Sequence, residues 1–195
     1  MFPIDKFSAV KAELVVDSRA PAARLYRYKS AGTLTPYYRF TLTSPPLEYR
    51  EAMAVDATLD SYHGNLVNFP LQNPLPQIKS RTGLFLYVTA SKGDSQITVG
   101  GFPSNEVDAA VAGDFLKITG SQKSYRILSD ATANASGQCV IKLTQPLIQA
   151  YSAPAVIDYG ADVVFQVCME DRDSGEVSVQ NNKFVVHDVE LIEQI

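Results

Sequence analysis

Two histidines, His63 and His187, are the only imidazoles in the chain. Imidazole is the side chain that most often acts as a general base or metal ligand near neutral pH. A triad needs one beside a nucleophile and an acid, and a zinc site needs three or four ligands together. His63 ends an apolar helical pattern, His187 sits in an alternating strand pattern, and neither lies in a CxxC or His-rich spacing. Both are expected in surface or packing roles. Cys139 and Cys168 are too few for a disulfide framework and are expected as buried thiols, with a bond between them left open.

The carboxylates offer two other chemistries. EDRDSGE gathers Asp171, Asp173 and Glu176, and the spacing by two of Asp171 and Asp173 is the one that opens a calcium loop. The later ligands do not follow in order, so a solvated turn is expected. A pair of carboxylates can hydrolyse a glycosidic bond, but Asp94, Asp114 and Asp130 fall in separate turns or strand starts. Tyr125, Tyr151 and Tyr159 have the ring type that stacks on sugars in a binding module and that also packs at a barrel rim. Gly100 and Gly101 follow a strand without GK[ST] or GxGxxG, so no phosphate loop is expected. These patterns assign no catalytic, cofactor-binding or metal-binding residue. They point away from an enzyme.

The elements that would position such groups are mostly strands. AELVVDS (12–18), AARLYRYKS (22–30) and YYRFTLTS (37–44) open the chain. In the third, Tyr38, Phe40 and Leu42 share one face, the period of a half-buried strand. One helix is expected over 48–63, started by Ser44 and the prolines at 45 and 46 and stopped at Gly64. Its stripe is Ala52, Val55, Leu59 and Tyr62, while Glu51, Asp56, Thr58 and Asp60 face elsewhere. Residues 65–77 read as a packed, extended connection without a regular period. From 84 onward come short strands separated by turn clusters such as SKGDS and TGSQKS, the texture of a small barrel or sandwich. SNEVDAAVAG (104–113) reads as a short helical turn. The last strand, KFVVHDVELIEQI, places Val185, His187, Val189 and Leu191 on one side. With no hairpin partner after it, it is expected to return to the first sheet.

The expected fold is therefore mainly β. A β-sandwich domain with one flanking helix, from 1–86 and 169–195, carries a small OB-like β-barrel inserted at 87–168. The chain has 195 residues and a net charge of −4, which argues against a generic nucleic-acid binder. The charge is uneven. Residues 1–50 hold 8 Lys/Arg against 4 Asp/Glu, and residues 170–195 hold 2 against 7. Opposite ends of this kind suit contact between copies. No secretory leader and no apolar run long enough for a membrane helix is read, so a soluble protein of a reducing compartment is expected.

The order YYRFTLTSPPL, EYREAMAVDATLDSYHG, NLVNFPLQNP resembles the N-terminal ring-forming domain of phage distal tail proteins. Phe40, Leu42, the 48–63 helix, Gly64, Phe69 and Pro74 carry the resemblance. GDFLKITGSQKSYRILSDATANASGQCVIKLTQPL is similar to the inserted barrel of long-tailed-phage tail-tip proteins, through Gly113, Asp114, Tyr125, Asp130, Gly137, Pro146 and Leu147. The resemblance spans about residues 37–195. It implies a virion protein of the tail tip, assembled in the host cytoplasm as a hexameric ring. The implied partners are copies of itself, the tail tube protein and the baseplate hub or tail fibre, with phage DNA passing the lumen unbound and no membrane partner. The competing expectation is a module that binds host-surface glycans through the barrel.

Overall fold

The computed structural model describes residues 3–15, 36–62, 67–169, 175–180 and 184–194. The strand expected at 22–30, His63, the helix stop at Gly64 and the carboxylates Asp171 and Asp173 lie outside them. A 3-10 turn at Ile4–Lys6 leads into β1 (Ala9–Val15), which pairs in register with β2 (Tyr37–Thr43). On β2, Tyr38, Phe40 and Leu42 are buried and the residues between them half-buried, as the alternation requires.

The chain then makes β3 (Leu47–Glu48) and the helix α1 (Tyr49–Ser61). Ser44 does not start this helix. Its hydroxyl accepts the His187 backbone N–H at 2.9 Å, and its own N–H donates to the His187 carbonyl at 2.9 Å. Pro45 and Pro46 hold the residues before them extended. Glu48 is the N-cap, with no side-chain capping bond. Ala52, Val55 and Leu59 are buried under the helix, and Tyr62 stacks on Phe69 with ring centroids 4.1 Å apart. The connection after the helix contains a strand that the sequence pattern hid, β4 (Phe69–Gln72). Pro70 interrupts its propensity, but a strand with one partner tolerates a missing N–H.

Six strands follow: β5 (Arg81–Leu86), β6 (Gln96–Gly100), β7 (Phe115–Ile118), β8 (Tyr125–Arg126), β9 (Gln138–Lys142) and β10 (Val156–Tyr159). They form a second sheet in the order β8-β7-β10-β5-β6-β9, every pairing antiparallel. A bridge between Ile127 and Leu143 joins its two outer strands and curls it closed around Leu84, Leu86, Ile97, Val99, Leu116, Ile118 and Ile141. Residues 104–113 are turns and not helix. Asn105 and Asp108 have φ of 56° and 52°, left-handed values that a right-handed helix excludes.

The first sheet is completed by β11 (Val164–Met169), β12 (Gly175–Gln180) and β13 (Phe184–Glu193). Its order is β1-β2-β13-β11-β4, with β12 and β3 also on β13. The last strand does return to the first sheet, between β2 and β11. The second sheet runs from 81 to 159, so residues 81–86 belong to it and 164–168 belong to the first. The architecture is mainly β, with two curled sheets and one α-helix among the described residues.

Candidate functional site

The residues singled out for chemistry do not converge. Asp114 is buried and accepts the N–H groups of Ile78 at 2.9 Å and Lys79 at 3.1 Å and the Tyr159 hydroxyl at 3.2 Å. It fixes the chain entering β5. Asp130 accepts the Ala112 N–H and Asp94 the Ser91 N–H, each at 2.7 Å. Asp94 holds its own turn, while Asp114 and Asp130 tie down neighbouring segments. Tyr125, Tyr151 and Tyr159 are buried and present no ring to a sugar. Tyr125 and Tyr151 lie hydroxyl to hydroxyl at 3.3 Å, and Tyr151 donates to Ser121 Oγ at 2.8 Å. Burial pushes the Tyr125 and Tyr159 phenols above their ordinary range. The three rings were expected on a sugar or at a rim; they fill the barrel because β8 turns Tyr125 inward, β10 turns Tyr159 inward, and a bridge to Ala90 holds Tyr151.

His187 lies on the buried face of β13 beneath α1, with Nδ1 3.8 Å from Asp56 Oδ1. Neither ring nitrogen has a hydrogen-bond partner among the described residues. Ser44, His187 and Asp56 thus share one place, a grouping the sequence pattern did not show. It is no working triad. The Ser44 hydroxyl is taken by a backbone N–H, and Ser44 and His187 are both closed to solvent. Cys139 and Cys168 are buried thiols and are not bonded to each other. Burial raises the Cys139 thiol, which disfavours the reactive thiolate. Gln194 Nε2 donates to Cys168 Sγ at 2.8 Å. Glu176 falls in β12. Among the described residues, no three His, Cys, Asp or Glu side chains group as metal ligands, and no helix is long and apolar enough to cross a membrane.

Gly101 has φ of +102°, and a Cβ there would stand 2.5 Å from the Gly83 carbonyl oxygen. The glycine pair serves a close approach of β6 to β5, not a phosphate.

Two other features set the chain apart. The first is the junction between the sheets. Phe115 belongs to β7 yet packs in the core of the first sheet, edge-on to Tyr38 (5.0 Å, 77°) and to Phe165 (5.3 Å, 76°). Beside it, Lys123 Nζ lies 3.5 Å from Glu193 Oε2, with no exposed side-chain surface on either residue. Glu193 also accepts the N–H of Ser124 at 2.8 Å and of Tyr38 at 3.3 Å, and Lys123 donates to the Pro36 carbonyl. Burial pushes the Tyr38 phenol to about 12. Sequence reading placed Lys123 in a turn and stopped the β13 stripe at Leu191. Continuing the alternation by one step puts Glu193 on the buried face, the one signal that marks it.

The second feature is open strand edges. Among the described strands, β1 pairs only with β2, and β12 only with β13. No residue of β1 is buried. Its register is unbroken, and it contains no proline. Lys11 and Glu13 on β1 face each other at 3.8 Å, so its edge carries no barrier of one charge sign. The third edge, β4, carries Pro70.

No protein-family model matches the chain, and no curated protein matches it in sequence.

Proposed function

We propose that the chain is a structural subunit of a phage tail tip. Copies close into a hexameric ring that joins the tail tube to the baseplate hub and fibre and lets DNA pass. Two edges on one sheet that no other described strand pairs, β1 and β12, carry this reading. A closed ring needs a heterologous interface, in which one surface of each copy meets a different surface of the next. Edges without a partner strand among the described residues supply both surfaces, because an edge strand presents a row of N–H and C=O groups on its outer side. Strand pairing of β1 to β12 would continue the sheet from copy to copy. The excess of basic residues in 1–50 and of acidic residues in 170–195 gives that pairing an electrostatic direction. The order of strand, helix and inserted barrel supports the same reading through its resemblance to distal tail proteins.

The helix then has a role. It covers the buried face of the ring sheet with Ala52, Val55 and Leu59. The junction at Phe115, Lys123 and Glu193 holds the barrel in one orientation on that sheet, which a ring with repeated contacts requires.

Light scattering after size exclusion, with negative-stain images, tests this. Particles of six copies with an open centre are expected. A monomer at every concentration, alone and mixed with purified tail tubes, overturns it.

A further inference from the structure

The outer face of the barrel carries aromatic and polar groups that the fold leaves unused. Phe85 and Tyr87 point outward from β5 and its extension, 36% and 49% exposed, while Leu84 and Leu86, which alternate with them, point into the core. Their ring centroids lie 6.4 Å apart at 44°. The Phe85 ring lies across Gly100, where a Cβ would stand 2.8 Å from Phe85 Cζ. Any side chain at 100 would lift the ring off the sheet. The Tyr87 N–H donates to the Thr98 carbonyl at 2.8 Å, and Thr98 pairs with Val140 on β9. Tyr87, Thr98 and Val140 therefore form one cross-strand row.

This row opens into a groove of about 430 Å³, walled by Val88, Thr89, Asp94, Gln96, Thr98 and Val140. That volume falls among small-molecule sites. The side chains of Gln96 and Thr98 make no hydrogen bond to the described residues. Asp94 spends Oδ2 on the Ser91 N–H and keeps Oδ1 for another partner.

We infer that this groove binds a neutral oligosaccharide. A sugar ring presents a C–H face, which needs a flat apolar wall, and a rim of hydroxyls, which need groups that both donate and accept. Val88 and Val140 are the wall, and the exposed Tyr87 ring adjoins it beside Thr98; Gln96, Thr98 and the open oxygen of Asp94 are the rim. The charge favours a neutral ligand. Residues 81–159 hold six Lys/Arg and six Asp/Glu, so a polyanion meets no basic groove here. Size disfavours a protein partner. The half-exposed Phe85, Tyr87, Val88, Val140 and Val156 offer an apolar patch on the order of 400 Å². A stable protein interface takes about 800 Å² from each side. The site stands apart from the ring edges and does not depend on the ring.

Saturation-transfer NMR on the full chain tests it, with neutral tri- and tetrasaccharides of glucose, galactose, mannose and N-acetylglucosamine, and a single-stranded oligothymidylate beside them. Transfer to the C–H protons of at least one sugar is expected, and none to the oligothymidylate. Tyr87→Ala and Gln96→Ala, both at exposed positions, should each weaken binding about tenfold with an unchanged circular dichroism spectrum. No transfer to any sugar, binding that survives both substitutions, or transfer to the oligothymidylate alone overturns the inference. Loss of self-association in Tyr87→Ala, read by light scattering, reassigns the face to a protein interface and overturns it too. A monomer that binds sugar, or a ring that does not, separates this inference from the ring.

Discussion

Lys123 and Glu193 form an ion pair, 3.5 Å apart and fully shielded from water, between the second sheet and the end of the first. Removing hydration pushes Lys123 below and Glu193 above its ordinary range, each toward its neutral form. The N–H groups of Ser124 and Tyr38 work against this at the carboxylate. Such a pair contributes little net stability, but losing one partner strands the other. Lys123→Met and Glu193→Gln should each cost about 3–5 kcal/mol, and the double variant clearly less than their sum. Ser124 and Tyr38 donate to different oxygens of Glu193, so the amide in Glu193→Gln keeps an acceptor for one of these N–H groups and turns its NH2 toward the other. Urea unfolding of the four proteins measures the cycle; additive losses would mean that the two side chains are not coupled.

Phe115 is the apolar half of the same junction. Its ring leaves its own sheet to pack on Tyr38 and Phe165 of the other. Phe115→Ala should cost about 3–5 kcal/mol and loosen the sheets from each other. Limited proteolysis reads the second effect. Cleavage should appear within 73–80 and 160–163, the segments that cross between the sheets, before it appears inside either sheet. A variant cut at the wild-type sites and rate would show that the ring only fills space.

Periodicity made the frame of this fold legible. The alternation of Tyr38, Phe40 and Leu42 and the stripe of Ala52, Val55 and Leu59 depend on neighbours in sequence, and the structure places them as their spacing requires. Features set by distant partners were hidden. Nothing local tells that Ser44 spends its hydroxyl on His187, 143 residues away, and so cannot cap the helix. β4 is too short and too rich in proline to announce itself, and it forms because Phe69–Gln72 find β11. Tyr125, Tyr151 and Tyr159 were judged by ring type, but whether a ring faces inward depends on strand register. The exposed pair, Phe85 and Tyr87, lies in LFLYV, where a continuous apolar run conceals which alternate residues face out.

Acid should destabilise the fold through Glu106. Its Oε1 accepts a hydrogen bond from the Arg81 guanidinium and lies 3.5 Å from Lys79 Nζ. The Arg81 hydrogen bond holds the carboxyl below its ordinary value of 4.5. The native state therefore binds this proton less readily than the unfolded chain. The stabilisation is complete above the ordinary value and is lost as pH falls through the folded value. Thermal midpoints should decline on acidification from about pH 5 to about pH 3, and Glu106→Gln should remove part of that slope. Parallel decline in both proteins would show that the contact adds nothing measurable.

The edge of β1 offers a test of how copies would join. Lys11 is exposed on a strand that, among the described residues, pairs on one side only. If the basic N-terminal region meets the acidic C-terminal region of the next copy, the contact lies between solvent-exposed charges, which salt screens over about 8–10 Å at moderate ionic strength. Assembly should weaken from about 0.1 M to about 1 M salt. Lys11→Glu should shift mass from ring to monomer at low salt, and Lys11→Ala should shift it less. Light scattering across the salt series measures both. Rings indifferent to salt and to charge reversal would rule out electrostatic pairing at this edge and leave the backbone ladder of β1 as the source of the contact.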